Sequence, residues 1–189
     1  MIEIKSIETL SKFFFTLSKV TFNFQKSDGS IESQVREVYD NGSGATVLLY
    51  NKSQRTVILI RQLRIASHLN GNPGGLLIET CAGLLEGNDP EATIKKEIAE
   101  ETGYEISEVK KVMEIYTSPG ANSELLHCFT AEYNADQKKY TGGGLQDEQE
   151  EIEVLEVPFA EAWKWLEEGK IRDAKTVILL QHLKLKGLL

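Results

Sequence analysis

GLLEGNDPEATIKKEIAEETGY, residues 83–104, packs three carboxylates into five residues of a well-signalled helix. Asp89 is a good N-cap, Pro90 suits the first helical position, and Gly103 is the residue type found just past a helix end. Both boundaries of a helix are therefore marked. Residues three and four apart share a helix face, so Glu97, Glu100 and Glu101 fall within roughly 100° at about 100° per residue. Like charges so close call for a compensating cation, and an all-oxygen cluster favours Mg²⁺ or Mn²⁺ over zinc. Acidic runs are more often solvated helix faces. Ile94 and Ile98, however, lie beside the acidic sector and place this edge of the helix near the core.

The segment resembles the Nudix box, a loop-helix-loop of the form G-x5-E-x7-R-E-U-x-E-E-x-G-U, where U is a large apolar residue. Gly83, Glu97, Ile98, Glu100, Glu101 and Gly103 match, and Tyr104 fills the last position. Lys96 stands where the pattern has Arg, and the loop is one residue short, leaving Asn88 or Asp89 in place of the first Glu. In the family that Arg and Glu brace the loop against the helix, and Lys lacks the bidentate fork. The resemblance implies an α/β fold, the Nudix α/β/α sandwich with a mixed sheet. It also implies that Glu97 and Glu101 ligate Mg²⁺ or Mn²⁺ with the Ala82 carbonyl, and that Glu100 ligates or orients a water.

Composition narrows the partners. The chain has 189 residues, 41% of them hydrophobic, which suffices for a real core. Its net charge is -8 and no Lys/Arg cluster occurs, so nucleic acid has no electrostatic footprint to meet. The opening MIEIKSIETL lacks a leader's apolar core, and no apolar run approaches the ~18 residues of a membrane span. The expectation is a cytoplasmic protein. Cys81 and Cys128 sit in separate apolar strand patterns and read as reduced core thiols.

From Lys12 to Tyr39 aromatic and β-branched residues alternate with polar ones, interrupted by a turn at Lys26–Ser30. An antiparallel sheet is expected. The turn-rich Asp40–Gly44 marks a boundary, which gives a β subdomain over 1–44 and a second domain over 45–189. Such a subdomain resembles that of the sugar-nucleotide branch of the Nudix family, and the resemblance implies a homodimer. Ala45–Tyr50 and Thr56–Leu63 should pair as a hairpin, leading into Arg61-Gln62-Leu63-Arg64. This is similar to the R-Q-x-R of ADP-sugar and GDP-sugar pyrophosphatases, where the second Arg, here Arg64, contacts phosphate.

Leu76–Cys81 reads as a strand feeding the box, with Glu79 in a stretch that resembles E-x-P-A-G, Cys81 replacing Pro. Val109–Tyr116 and Leu125–Tyr133 are strands around a loop, Thr117–Glu124. By resemblance to ADP-ribose-type members, Glu124 lies near the metals. Residues 134–151 form a long polar segment, and loops of that length are usually functional or disordered. Pro158–Glu168 should be a helix ended by Gly169, and Asp173 should cap a last helix. Lys175 falls in that helix's first turn, where a cation opposes the macrodipole unless a phosphate is near.

Arg36-Glu37-Val38-Tyr39-Asp40, the G-G-G-x-x-D-E loop at Gly142–Glu148, the E-V-L-E-x-P-F strand and Gly169–Thr176 narrow the likeness to the branch that hydrolyses GDP-mannose. That likeness covers nearly the whole chain. It implies that Glu148 reaches the metals and serves catalysis with Glu101 and Glu124. It further implies that Phe14, Arg36, Glu37, Arg64, Asp147 and Lys175 bind substrate. The expected reaction is GDP-mannose plus water giving GMP and mannose 1-phosphate. An ADP-ribose or ADP-sugar pyrophosphatase, and a module that binds nucleotide without hydrolysing it, remain open.

Overall fold

The computed structural model covers the 189-residue chain and describes every residue except Gln146 and Glu148. The role expected for Glu148 thus falls outside the described residues. Two compact units are present: Met1–Ser43 with Tyr116–Leu125, and Gly44–Ile115 with Leu126–Leu189.

In the first unit β1 (Ile2–Lys12), β2 (Thr16–Gln25) and β3 (Ile31–Asp40) form an antiparallel meander. The opening residues are a strand here, whereas the sequence pattern starts the sheet at Lys12. Ile2 and Ile4 are two apart but Ile7 follows after three, across a register shift between Ile4 and Ser6, and all three are exposed, so neither an unbroken alternation nor a buried face announces the strand. The β2–β3 turn closes as expected: Gly29 takes a φ of 87° and Asp28 Oδ1 accepts the Ser30 N–H at 2.9 Å. Residues 116–125 attach where the Tyr39 N–H donates to the Ala121 carbonyl at 2.7 Å and the Ser123 N–H to the Tyr39 carbonyl at 3.1 Å.

The second unit is built on a mixed sheet. Its strands are β4 (Gly44–Asn51), β5 (Thr56–Leu63), β6 (Leu76–Glu79), β7 (Cys81–Leu84), β8 (Lys110–Tyr116), β9 (Leu125–Glu132) and β10 (Glu153–Pro158). The order is β10-β5-β4-β9-β8, with β6 on β5 and β7 on β4. The helices are α1 (Ile65–Leu69), α2 (Pro90–Glu97), α3 (Phe159–Glu167) and α4 (Ala174–Leu185). None of the helices is long and apolar enough to cross a membrane, among the described residues.

Every residue of β4 is buried, as befits a strand covered on both faces. Val47 and Leu49 pack with Ile94 and Ile98 on one side, while Leu48 and Tyr50 pack with Phe159, Leu179, Leu180 and Leu183 on the other. Period-2 alternation thus splits one strand between two cores and yields the α/β/α layering. Cys81 and Cys128 are free and buried, one in each core.

The segment expected as one strand over Leu76–Cys81 is two. β4 and β5 pair directly only at Leu49–Asn51 with Thr56–Ile58, and beyond that β6 pairs with β5 and β7 with β4. The chain changes partners at Thr80. That crossing is pinned by threonines: Thr80 Oγ1 lies 2.9 Å from Thr46 Oγ1, and the Thr80 N–H donates to Thr176 Oγ1 at 2.8 Å. Hydroxyls satisfy groups the ladder leaves over, which a buried crossing requires.

Candidate active site

The helix carrying the acidic triplet begins as its sequence dictates. Asp89 accepts the Ala92 N–H at 2.9 Å and Pro90 occupies the first turn. From Ile98 to Thr102 the α-helix widens into a π-helical turn, which ends at Gly103 in the left-handed region with φ 79°. The even 100° step assumed for the triplet therefore fails after Glu97, and the carboxylates do not share one solvated stripe. Glu101 is buried at 2% exposure beside Ile98 at 0%, while Glu97 and Glu100 are half-buried. Such turns occur frequently at functional sites.

Glu101 Oε2 accepts the Ala82 N–H at 3.1 Å, and the Cys81 thiol also hydrogen-bonds this carboxylate. Burial pushes the Glu101 pKa up to about 8, and the charges of Glu97 and Glu150 push the same way. Its two donors offset this only in part. Glu97 packs against Gly83, where a Cβ would collide with its carboxylate. Glu100 pairs with Lys96, Oε2 to Nζ at 3.0 Å. Because each carboxylate has a different neighbour, no three His, Cys, Asp or Glu side chains converge on one point among the described residues. The donor set nonetheless fits a hard divalent ion. It is all oxygen, and its innermost carboxylate is buried in the field of other carboxylates, which raises its pKa and which a bound cation would relieve.

A second charged cluster lies at the end of β6. Glu79 is almost fully buried, and Arg64 grips it with a two-bond fork, Nε to Oε1 and Nη2 to Oε2, both 2.9 Å. Lys175 Nζ reaches Glu79 Oε2 at 2.7 Å and Asp173 Oδ1 at 2.9 Å. These partners hold the Glu79 carboxyl below its usual range despite the burial that would raise it. Asp173 also caps α4 by accepting the Thr176 N–H at 3.0 Å. Arg64 and Lys175, both expected at phosphate, are thus brought together, and the residue joining them is Glu79. The Glu101 charge also reaches Arg64, so the two clusters are neighbours.

The other expected site residues are placed as follows. Phe14, Arg36, Glu37 and Glu124 belong to the first unit. Phe14 is 84% exposed, with its ring edge-on to Phe13 at 4.6 Å. Arg36 and Glu37 are exposed on β3, and Glu124 Oε2 accepts from Thr117 Oγ1 at 2.8 Å. In the second unit Asp147 is exposed and Ala82 is half-buried on β7. The sequence reading misses Glu150, whose charge reaches both Glu101 and Cys81. Its only signal is its position at the exit of a glycine-rich polar loop.

The second unit thus sets acidic residues on a glycine-flanked turn beside a cationic pair held by Glu79. Residues 40–180 match the family described as NUDIX domain, and the chain belongs to the Nudix family. Residues 1–39 match the description "GDP-mannose pyrophosphatase NudK N-terminal domain". A protein of Cronobacter sakazakii named GDP-mannose pyrophosphatase is 51% identical over 188 residues, covering 100% of this chain and 97% of its own length. Proteins of the same name from Shigella dysenteriae serotype 1 and Klebsiella pneumoniae are each 52% identical over 180 residues, which is 95% of this chain. They are covered over 93% and 90% of their own lengths respectively.

Proposed function

We propose that this protein is a metal-dependent hydrolase of GDP-mannose, releasing GMP and mannose 1-phosphate. The observation that carries the reading is the buried Glu101 carboxylate against the Ala82 amide, inside a Nudix box. The likeness to proteins named GDP-mannose pyrophosphatase along the whole chain supports the substrate. Nudix hydrolases generally need a divalent metal, and Mg²⁺ or Mn²⁺ suits these oxygen donors.

Glu97 and Glu101, with the Ala82 carbonyl, would hold the ion, and Glu100 would ligate it or orient a water. When bound, the ion neutralises the diphosphate and lowers the pKa of a coordinated water. Water adds to one phosphorus, the bridging P–O bond breaks, and the proton from water passes to a carboxylate, Glu124 or Glu148. Arg64 spends two of its five N–H donors on Glu79, so others remain to meet a phosphate oxygen, and Lys175 acts beside it. Asp147, Phe14, Arg36 and Glu37 complete the substrate contacts, with Phe14 stacking on the base. Residues 1–44 form the subdomain through which two chains associate, and 45–189 the hydrolase domain, in a cytoplasmic enzyme.

Glu101→Gln tests the ligand assignment. The amide matches the protonated carboxyl in shape, so the fold should persist, while kcat for GMP release should fall by at least about 100-fold. Turnover within a few-fold of the unaltered protein would overturn the assignment.

A further inference from the structure

The carbonyl end of a helix leaves acceptors that the next few residues usually satisfy. Here they are satisfied from a distant part of the chain. The Gly143 N–H donates to the Glu101 carbonyl at 2.9 Å and the Gly144 N–H to the Glu100 carbonyl at 3.2 Å. The Lys139 and Tyr140 N–H groups both donate to the Gly103 carbonyl, at 2.8 and 3.0 Å. The carbonyls of Glu100, Glu101 and Gly103 are therefore held by a glycine-rich segment.

Only glycine permits this approach. Gly142, Gly143 and Gly144 all lie in the left-handed region, with φ of 70°, 109° and 79°. A Cβ on Gly142 would stand 2.6 Å from the Glu101 carbonyl oxygen. The loop is closed on itself above these contacts: the Ile152 N–H donates to the Gly143 carbonyl at 3.1 Å and the Glu150 N–H to the Leu145 carbonyl at 3.2 Å. Glu150 Oε2 accepts the Leu145 N–H at 3.2 Å, and the side chain lies so closely over Gly144 that a Cβ there would come within 2.6 Å of Oε2.

We propose that Gly142–Gly144, latched by Glu150, is a backbone clamp that sets the orientation of the Glu100–Glu101 turn, which makes Glu150 a positioning residue for the hydrolysis. The inference rests on the reading that Glu100 and Glu101 serve the metal. The latch is a hydrogen bond to an acceptor oxygen, not a charge, and this separates it from a ligand role.

Glu150→Gln and Glu150→Ala decide between the two, assayed for kcat and KM with GDP-mannose and Mg²⁺, and by NMR hydrogen exchange of the Gly143 and Gly144 amides. The glutamine amide oxygen can accept the Leu145 N–H, so Glu150→Gln should stay within about twofold in kcat and keep both amides protected. Glu150→Ala should lower kcat up to about tenfold at unchanged KM, with faster exchange at both amides, as loss of one hydrogen bond allows. The clamp is overturned if both variants behave as the unaltered protein. It is overturned equally if Glu150→Gln is as slow as Glu150→Ala with the amides still protected, which would make Glu150 a metal ligand. Should the unaltered protein not turn over GDP-mannose, the functional reading fails, and the exchange measurement alone still decides the clamp.

Discussion

At the scale of single residues, Glu101 stands out as the most deeply buried of the three carboxylates on the box helix. Its ordinary pKa of 4.5 rises to about 8 through burial first, with Glu97 and Glu150 adding to it. Between those values the folded, metal-free chain holds a proton that the unfolded chain has released. Raising the pH across that window therefore favours unfolding. A divalent ion needs the carboxylate deprotonated, so its binding should expel the proton and tighten as pH rises toward 8. The melting temperature without metal should accordingly fall from about pH 5 to about pH 8, and the rise on adding Mg²⁺ should be larger at pH 8 than at pH 5. Calorimetry at several pH values with and without Mg²⁺ checks both, and a Mg²⁺ effect independent of pH would detach Glu101 from the metal. Glu79 is the contrasting buried carboxylate: Arg64 and Lys175 compensate it, so it stays charged.

At the scale of elements, the box turn depends on contacts between glycines far apart in sequence. Gly103 has φ 79°, and a Cβ there would strike the Tyr140 carbonyl, whereas Gly169 has φ 72° with open space around it. Gly169→Ala should cost about 1 kcal/mol, the left-handed penalty alone. Gly103→Ala should cost about 2–4 kcal/mol, because strain and collision add. Urea denaturation of the two variants measures the difference, and equal midpoints would mean that the Tyr140 contact carries no weight.

The same elements show what the sequence makes legible. Asp89, Pro90, Gly103 and Asp173 mark helix ends because capping is local, and each does so in the structure. The partner change at Thr80 is invisible in Leu76–Cys81, since it depends on how far β4 and β5 stay together. The π-helical turn at Ile98–Thr102 leaves no mark in an amphipathic pattern. Glu79 as the partner of both Arg64 and Lys175 is likewise a fact of tertiary pairing across 15 and 96 positions. The acidic triplet is legible in the sequence because its spacing is local, but the burial that singles out Glu101 within it is not.

At the scale of the whole molecule, the first unit leaves much of its apolar surface uncovered. None of the residues of β1, β2 or β3 is buried, and Ile2, Ile4, Ile7, Ile31, Phe13 and Phe14 are all more than half exposed. A three-stranded sheet with so much uncovered apolar surface is expected to have a partner. Sedimentation velocity should give a dimer mass, and Ile4→Lys with Ile7→Lys should shift it toward monomer; a monomer in the unaltered protein would refute association through this sheet.

Hydrolysis of a guanosine diphosphate sugar at a metal-dependent Nudix site is tested most directly by nucleotide release from GDP-mannose beside ADP-ribose, with Mg²⁺ and with a chelator. GDP-mannose should give GMP and mannose 1-phosphate, in clear preference to cleavage of ADP-ribose, and both activities should be lost on chelation. Preference for ADP-ribose would contradict the substrate, and turnover that survives the chelator would contradict the metal site.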